Sequence, residues 1–278
     1  MIWSGRGFHF DLSRRVAIMG ILNVTPDSFA DGGRWNTTER ALAHAEELIE
    51  QGADIIDVGG ESSRPGAAPV SVDEEKQRVL PVIEALGARF AVPISIDTYK
   101  ADVARAALDA GATIVNDISA LSDAPMAALA AEREAGLVLM HMQGSPRDMQ
   151  NDPWYEDLLA EVLAYLRNAT DRALAAGVQR ERIAIDPGIG FGKTAAHNVE
   201  LIRHLGRFAG LGFPVLIGVS RKNFIGRLTG QEITDRLHGT IAAVTAALLC
   251  GARIVRVHDV APTRDAARVA EAIVGVGA

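Results

Sequence analysis

Cysteine is nearly absent: Cys250 is the single one in 278 residues. No intramolecular disulfide and no cysteine-based zinc or iron-sulfur site can therefore form, and a reducing, cytoplasmic setting is expected. An excess of positive charge is also missing. Lys and Arg total 28 against 35 Asp and Glu, a formal net charge of -7, so no basic field exists to hold nucleic acid or an anionic membrane. No stretch approaches the roughly 18 uninterrupted apolar residues of a membrane span. The apolar run 16–22 follows Ser13-Arg14-Arg15 and loosely resembles a twin-arginine leader. It is only a strand's length, leads into Asn23-Val24-Thr25-Pro26-Asp27 and has no small-residue cleavage site, so a strand is the better reading. What the chain does have is 48% hydrophobic and 23% charged residues. That supports a sizeable core and excludes a disordered chain.

Short β-branched runs alternate with longer Ala, Leu, Glu and Arg segments of helical period. The runs fall at residues 16–22, 55–58, 94–96, 113–115, 137–140, 183–185, 215–219 and 254–257. Helices are expected near 37–51, 72–90, 100–110, 126–134, 154–176, 197–209, 235–250 and 263–274. Eight strand-then-helix units in one chain of this length predict a single (β/α)8 TIM barrel spanning residues 1–278. An open doubly wound sheet is the runner-up. The apolar stretch 241–249 can serve either the core or an interface between copies.

Polar or ionisable residues stand where nearly every strand stops: Asn23, Glu61, Asp97, Asn116-Asp117, His141, Asp186, Ser220-Arg221-Lys222 and Arg256-Val257-His258. In a parallel barrel those ends converge on one face and line one pocket, which favours a small-molecule enzyme. The segment Asp186-Pro187-Gly188-Ile189-Gly190-Phe191-Gly192-Lys193-Thr194 looks like a phosphate loop and is not one. A Walker A loop needs Gly where Pro187 stands, and a dinucleotide fingerprint needs Gly where Lys193 stands. It reads better as a strand-end carboxylate followed by a glycine turn that lets a flat ligand approach the backbone. Asp97, Asn116 and Asp186 suit a flat heterocycle rich in donors, because a carboxylate accepts two parallel N–H bonds and Asn offers both polarities. Buried carboxylates need cations, for which Arg64, Lys222 and Arg256 are candidates. Asn23, Arg64, Arg256 and His258 together can hold a phosphate-like anion, and Asn23 offers a hard oxygen to Mg2+. His141 reads as structural. The segments 25–36 and 61–71, rich in Gly, Pro and Ser, are candidate lids.

The strand ends and loops resemble the dihydropteroate synthase family. The matching pieces are Gly20-Ile21-Leu22-Asn23-Val24-Thr25-Pro26-Asp27-Ser28-Phe29, Gly59-Gly60-Glu61-Ser62-Ser63-Arg64-Pro65-Gly66, Ser95-Ile96-Asp97-Thr98 and Asn116-Asp117-Ile118. The series continues with the glycine segment from Asp186 to Lys193, Ser220-Arg221-Lys222, and Arg256-Val257-His258-Asp259-Val260. The resemblance implies condensation of 4-aminobenzoate with 6-hydroxymethyl-7,8-dihydropterin diphosphate, with loss of pyrophosphate. It assigns the pterin to Asp97, Asn116, Asp186 and Lys222. The diphosphate goes to Asn23, Arg64, Arg256 and His258, with Mg2+ on Asn23. The aminobenzoate goes to Phe29, Ser63, Pro65, Phe191, Ser220 and Lys222. The catalytic set it implies is Asp27, Arg64, Asp97, Lys222 and Arg256, in a homodimer. Ser63 departs from the threonine commoner in the family; it keeps the hydroxyl and lacks a methyl beside the aminobenzoate. The alternatives are a non-catalytic pterin-binding homologue and a methyltetrahydrofolate-corrinoid methyltransferase. The second would need neither lid motif nor a pyrophosphate cluster.

Overall fold

A computed structural model describes residues 1–25, 34–64 and 66–275. The chain opens with an antiparallel hairpin, β1 (Ile2–Gly5) and β2 (Phe8–Asp11). The alternation then begins: β3 (Ala17–Asn23), α1 (Arg34–Glu50), β4 (Ile55–Gly59), α2 (Val72–Arg89), β5 (Ile94–Asp97), α3 (Ala101–Asp109), β6 (Ile114–Asp117) and α4 (Met126–Glu132). It continues through β7 (Gly136–Met140), α5 (Leu158–Ala175), β8 (Ile183–Asp186), α6 (Ala195–Arg203), α7 (Leu205–Ala209), β9 (Leu216–Ile217), α8 (Asn223–Thr229), α9 (Leu237–Leu249), β10 (Ile254–Val257) and α10 (Val260–Val274).

Strands β3 to β10 form one parallel sheet in the order β8-β7-β6-β5-β4-β3-β10-β9. The remaining gap, between β8 and β9, is bridged where Ile185 pairs with Val215 and its N–H donates to the Pro214 carbonyl at 2.9 Å. The sheet is therefore a closed (β/α)8 barrel, and the open doubly wound alternative is excluded. The run 16–22 is the strand β3 inside that barrel, paired with β4 and β10. Among the described residues, no helix is long and apolar enough to cross a membrane.

The pleat sorts each strand into an outward set packed under the helices and an inward set filling the barrel. Met19, Ile55, Ile114, Val138, Ala184, Leu216 and Ile254 make one inward layer. That layer is continuous with Trp3, Phe8 and Leu12 of the hairpin, so the hairpin plugs the N-terminal mouth of the barrel. Trp3 is fully buried, stands edge-on to Phe8 at 5.1 Å, and donates its indole N–H to the Arg182 carbonyl at 3.1 Å. The alternating neighbours Ile18, Ile56, Val115, Leu137, Ile185 and Val255 pack outward with the helices. Two residues beyond the inward apolar layer, the same faces carry Asp57, Asn116, Met140, Asp186 and Arg256. The floor is thus apolar and the layer above it polar.

Some elements differ from the expected ones. The hairpin is an addition to the βα repeat. The helix expected at 197–209 is two helices separated by His204, whose Nδ1–H donates to the Glu200 carbonyl at 2.9 Å in competition with the backbone ladder. A seven-residue helix, α8, follows Lys222 and ends on Gly230 in the left-handed conformation.

Because the hairpin plug is a packed part of the core, Trp3→Ala is expected to lower folding stability by about 3 to 5 kcal/mol. The change would be read as a lower urea midpoint at unchanged slope. A loss below about 1 kcal/mol would show that the hairpin lies on the barrel without stabilising it.

Candidate active site

The polar inward layer converges on one guanidinium. Arg256, at the end of β10, donates from Nε to Asp57 Oδ2 at 2.6 Å and from Nη2 to Asp97 Oδ2 at 2.7 Å. Asn116 donates its amide N–H to the same Asp57 oxygen at 3.3 Å, while Asp57 Oδ1 is buried without a hydrogen-bond partner. Burial pushes the Asp97 carboxyl up to about 7, with Asp57 and Glu75 adding to the effect and Arg256 opposing it. Burial also raises Asp186 against the pull of Lys222 and of the Gly188 N–H, which donates to its Oδ1 at 2.7 Å. Asp97, Asn116 and Asp186 therefore share one wall, as expected, and Asp57 joins them. A carboxylate within the apolar run Ile55-Ile56-Asp57-Val58 was the sequence signal for it.

Asp117, adjacent to Asn116, is on the opposite face of the pleat. Its carboxylate accepts from the Ser119 N–H and hydroxyl and from the Leu121 N–H at 2.7 to 2.8 Å, holding the turn in which Ala120 and Leu121 have positive φ. It is a loop anchor and takes no part in the pocket.

The glycine segment after β8 folds over the pocket's edge. Gly188, Gly190 and Gly192 all have positive φ. The protein's own packing requires glycine at all three positions. A Cβ on Gly188 would lie 1.8 Å from the His141 carbonyl oxygen, one on Gly192 2.5 Å from the Gln143 carbonyl oxygen, and one on Gly190 2.9 Å from the Lys222 stem. The room is made for the protein's own backbone and for Lys222. That lysine donates to the Ile189 carbonyl and sets its ammonium 4.4 Å from the Phe191 ring centroid. Burial brings the Lys222 ammonium down to about 8 against the pull of Asp186. Beneath the segment, buried Lys193 donates to His141 Nδ1 at 2.9 Å and to the Phe191 carbonyl at 2.8 Å. Burial, with Lys193 beside it, lowers His141 to about 2, so the imidazole is neutral and accepts. This gives His141 the structural role expected of it.

At the rim, Ser220 accepts the His258 backbone N–H at 3.2 Å and faces His258 Nδ1 at 3.0 Å. Burial lowers His258 to about 4, and the charges of Arg256, Arg221 and Arg64 push the same way. Arg64, exposed on the loop after β4, is thus close enough to act on His258. Arg221 pairs with Asp259 at 2.5 and 3.0 Å and braces the rim. A Cβ on Gly59 would lie 3.6 Å from Asn23 Oδ1 and 3.7 Å from Asp97 Oδ2, so carboxamide and carboxylate approach one point. Ser63 lines a narrow cleft with Glu61, Asp97 and Tyr99. The proposed ligands Asp27, Phe29 and Pro65 lie outside the described residues.

Residues 19–258 match the sequence profile of the pterin binding enzyme family. The chain belongs to that family. It is 49% identical over 267 residues to the dihydropteroate synthase of Escherichia coli K12, covering 96% of this chain and 94% of the relative. The Yersinia pestis dihydropteroate synthase, solved in a sulfonamide drug complex, superposes with a TM-score of 0.93 at 44% identity, covering 99% and 100% of the two chains. The Xanthomonas albilineans enzyme, solved with 4-aminobenzoic acid, superposes with a TM-score of 0.92 at 48% identity, covering 99% and 98%.

For this pterin binding enzyme the two titrations set a pH window. In the roles that the family resemblance implies, an ionised Asp97 opposes positive charge on a bound pterin and a protonated Lys222 balances the carboxylates. The profile of kcat/KM for the pterin substrate is therefore expected to rise near pH 7 and fall near pH 8. The rising limb should disappear in Asp97→Asn and the falling limb in Lys222→Arg. Limbs that persist in these variants would assign the titrations elsewhere.

Proposed function

We infer that the chain is a dihydropteroate synthase, condensing 4-aminobenzoate with 6-hydroxymethyl-7,8-dihydropterin diphosphate to form 7,8-dihydropteroate and pyrophosphate. The observation that carries this is the polar layer of Asp57, Asp97, Asn116, Asp186 and Arg256 at the mouth of a barrel. Near-full-length similarity to dihydropteroate synthases supports the same reading.

The pterin's donor edge suits Asp186, which spends one oxygen on Gly188 and keeps acceptor capacity on the other, with Asn116 beside it. Lys222 balances the Asp186 charge and donates toward the ring. As the carbon–oxygen bond to the diphosphate breaks, positive charge spreads into the pterin methylene, where ionised Asp97 opposes it. The arylamine nitrogen then bonds to that carbon and its extra proton leaves to solvent, so no general base is assigned. Arg256 has five N–H donors, and its two recorded contacts to Asp57 and Asp97 leave others for the departing diphosphate. Arg64 and neutral His258 complete that end. Phe191, Ser220, Ser63 and the Lys222 stem form the aminobenzoate's surroundings, the place a sulfonamide would contest.

Among the described residues, no cluster of three His, Cys, Asp or Glu can hold a metal alone. A single hard oxygen on Asn23 fits Mg2+, which keeps waters and shares its shell with substrate phosphates. When bound there, the ion supplies Lewis-acid stabilisation to the leaving diphosphate. A homodimer working in the cytoplasm is the assembly and setting we propose.

Purified protein with Mg2+ and the dihydropterin diphosphate is expected to release pyrophosphate and form dihydropteroate only when 4-aminobenzoate is added. Asp186→Ala should weaken pterin binding at least about 100-fold by titration, since it removes a buried charged acceptor. Pterin binding without any pyrophosphate release would support the non-catalytic homologue, and methyl transfer from methyltetrahydrofolate to a corrinoid would support the methyltransferase.

A further inference from the structure

Beside the polar layer, a second buried ionic cluster sits at the root of the loop that carries Ser63 and Arg64, and its Glu61 and Glu75 line the cleft that Ser63 and Asp97 share. Lys100 follows Asp97 by three residues and forms the N-terminal boundary of α3. Its ammonium donates to the Glu61 carboxylate, to the Val70 carbonyl at 2.6 Å and to Glu75 Oε2 at 2.6 Å. Glu61 stands at the start of the loop, Val70 at its end, and Glu75 in the first turn of α2. An ammonium has three N–H donors, and all three are used. One cation thus gathers both ends of the loop and the helix that follows it.

The surrounding bonds reinforce the root. Tyr99 donates its hydroxyl to Glu61 Oε1 at 2.8 Å, and Arg78 donates to the Gly60 carbonyl at 2.7 Å. Ser71 caps α2 by accepting the Glu74 N–H at 3.2 Å. Farther out, the Gly66 N–H reaches the Pro146 carbonyl at 3.1 Å and the Ala67 N–H the Arg64 carbonyl at 3.1 Å. Glu75 is almost fully buried and Lys100 and Glu61 largely so, so the cation cannot be removed without stranding carboxylates away from water. Burial disfavours the Lys100 ammonium, yet its bonds to Glu61 and Glu75 outweigh that and raise its pKa, so it remains charged.

We propose that Lys100 is a positioning residue for this synthase: by pinning Glu61 and Val70 to Glu75 it fixes the root of the second loop, so that Ser63 and Arg64 arrive over the pocket in one register. It acts through the loop it anchors, while the charge of Glu75 that it balances also reaches Asp97. The proposal rests on the reading of Ser63 as an aminobenzoate contact and Arg64 as a diphosphate contact.

Lys100→Met is the direct test, with steady-state kinetics, pterin binding and amide hydrogen exchange measured on the same preparation. The KM for 4-aminobenzoate is expected to rise about tenfold or more, because small misplacement of a positioning element is amplified in the reacting geometry. Affinity for 6-hydroxymethyl-7,8-dihydropterin, by calorimetry, should stay within about twofold in Lys100→Met combined with Glu75→Gln, where no unbalanced Glu75 charge is left to act on Asp97. Amide exchange should quicken across residues 60–71 and stay unchanged in β5 and β6. If the buried carboxylates prevent folding, Lys100→Met combined with Glu75→Gln removes the stranded charge and is read the same way. An unchanged aminobenzoate KM in a folded variant would overturn the proposal. So would a pterin affinity in the double variant that falls as far as the KM rises, because the effect would then lie in the barrel. Failure of the parent protein to make dihydropteroate would instead overturn the functional reading, while the exchange experiment would still decide whether Lys100 holds the loop.

Discussion

Three inward carboxylates, on Asp57, Asp97 and Asp186, share the mouth of a barrel whose floor is hydrocarbon. Carboxylates gathered in such a medium cannot all ionise unless cations meet them. Arg256 meets two of them at once, and the rest of the site depends on that contact. A guanidinium does not lose its proton in a protein, and its planar fork lets Nε and Nη2 reach separate carboxylates. Lysine in its place would be a compact charge that burial could neutralise, as burial already lowers Lys222. The same group reaches beyond those two carboxylates: its charge also bears on Asp186, Lys222 and His258. Because Arg256 opposes the rise that burial imposes on Asp97, keeping that pair intact keeps Asp97 ionisable.

The position of these groups follows from the pleat. The residues two places beyond Ile55, Ile114, Ala184 and Ile254 are Asp57, Asn116, Asp186 and Arg256, so the apolar floor and the polar site are successive inward layers of the same strands. This arithmetic explains what could be read from the chain alone. The eight strand runs were legible because β-branched residues cluster in them and helical segments separate them. Asp97, Asn116 and Asp186 were legible because each stands where its strand stops. Asp57 lies two residues before the end of β4, where a polar residue in an apolar run has no address until the inward face is known. Asn116 and Asp117 show the converse. They are neighbours at one strand end, and only the register separates the pocket residue from the loop anchor.

Other features escaped because they lie outside the repeat. The hairpin that plugs the barrel has no helix partner and is held by Trp3 and Phe8, isolated aromatics whose packing no local period announces. Helix α8 is seven residues long with a glycine inside it, too short for a period to register. Lys100 is invisible for a different reason. Its partners Glu61, Val70 and Glu75 are 25 to 39 residues away, and nothing short of the barrel's closure brings β4 and β5 together to make them neighbours.

The two segments over the pocket are built on opposite principles. The glycine segment after β8 is flexible by composition and rigid by packing: its missing side chains let it settle against the carbonyls of His141 and Gln143, where any Cβ would collide. Lys193 then locks it from below by holding Phe191 to a neutral His141. Because that lock is buried, it fixes the side of the pocket that Phe191 and Lys222 border. The loop after β4 instead carries its rigidity at the root, in the bonds of Lys100 and Arg78, with Ser63 and Arg64 farther out along it. Rigidity placed at the root fixes the points from which Ser63 and Arg64 project, so the register of this loop is set by buried charge, whereas that of the glycine segment is set by backbone packing.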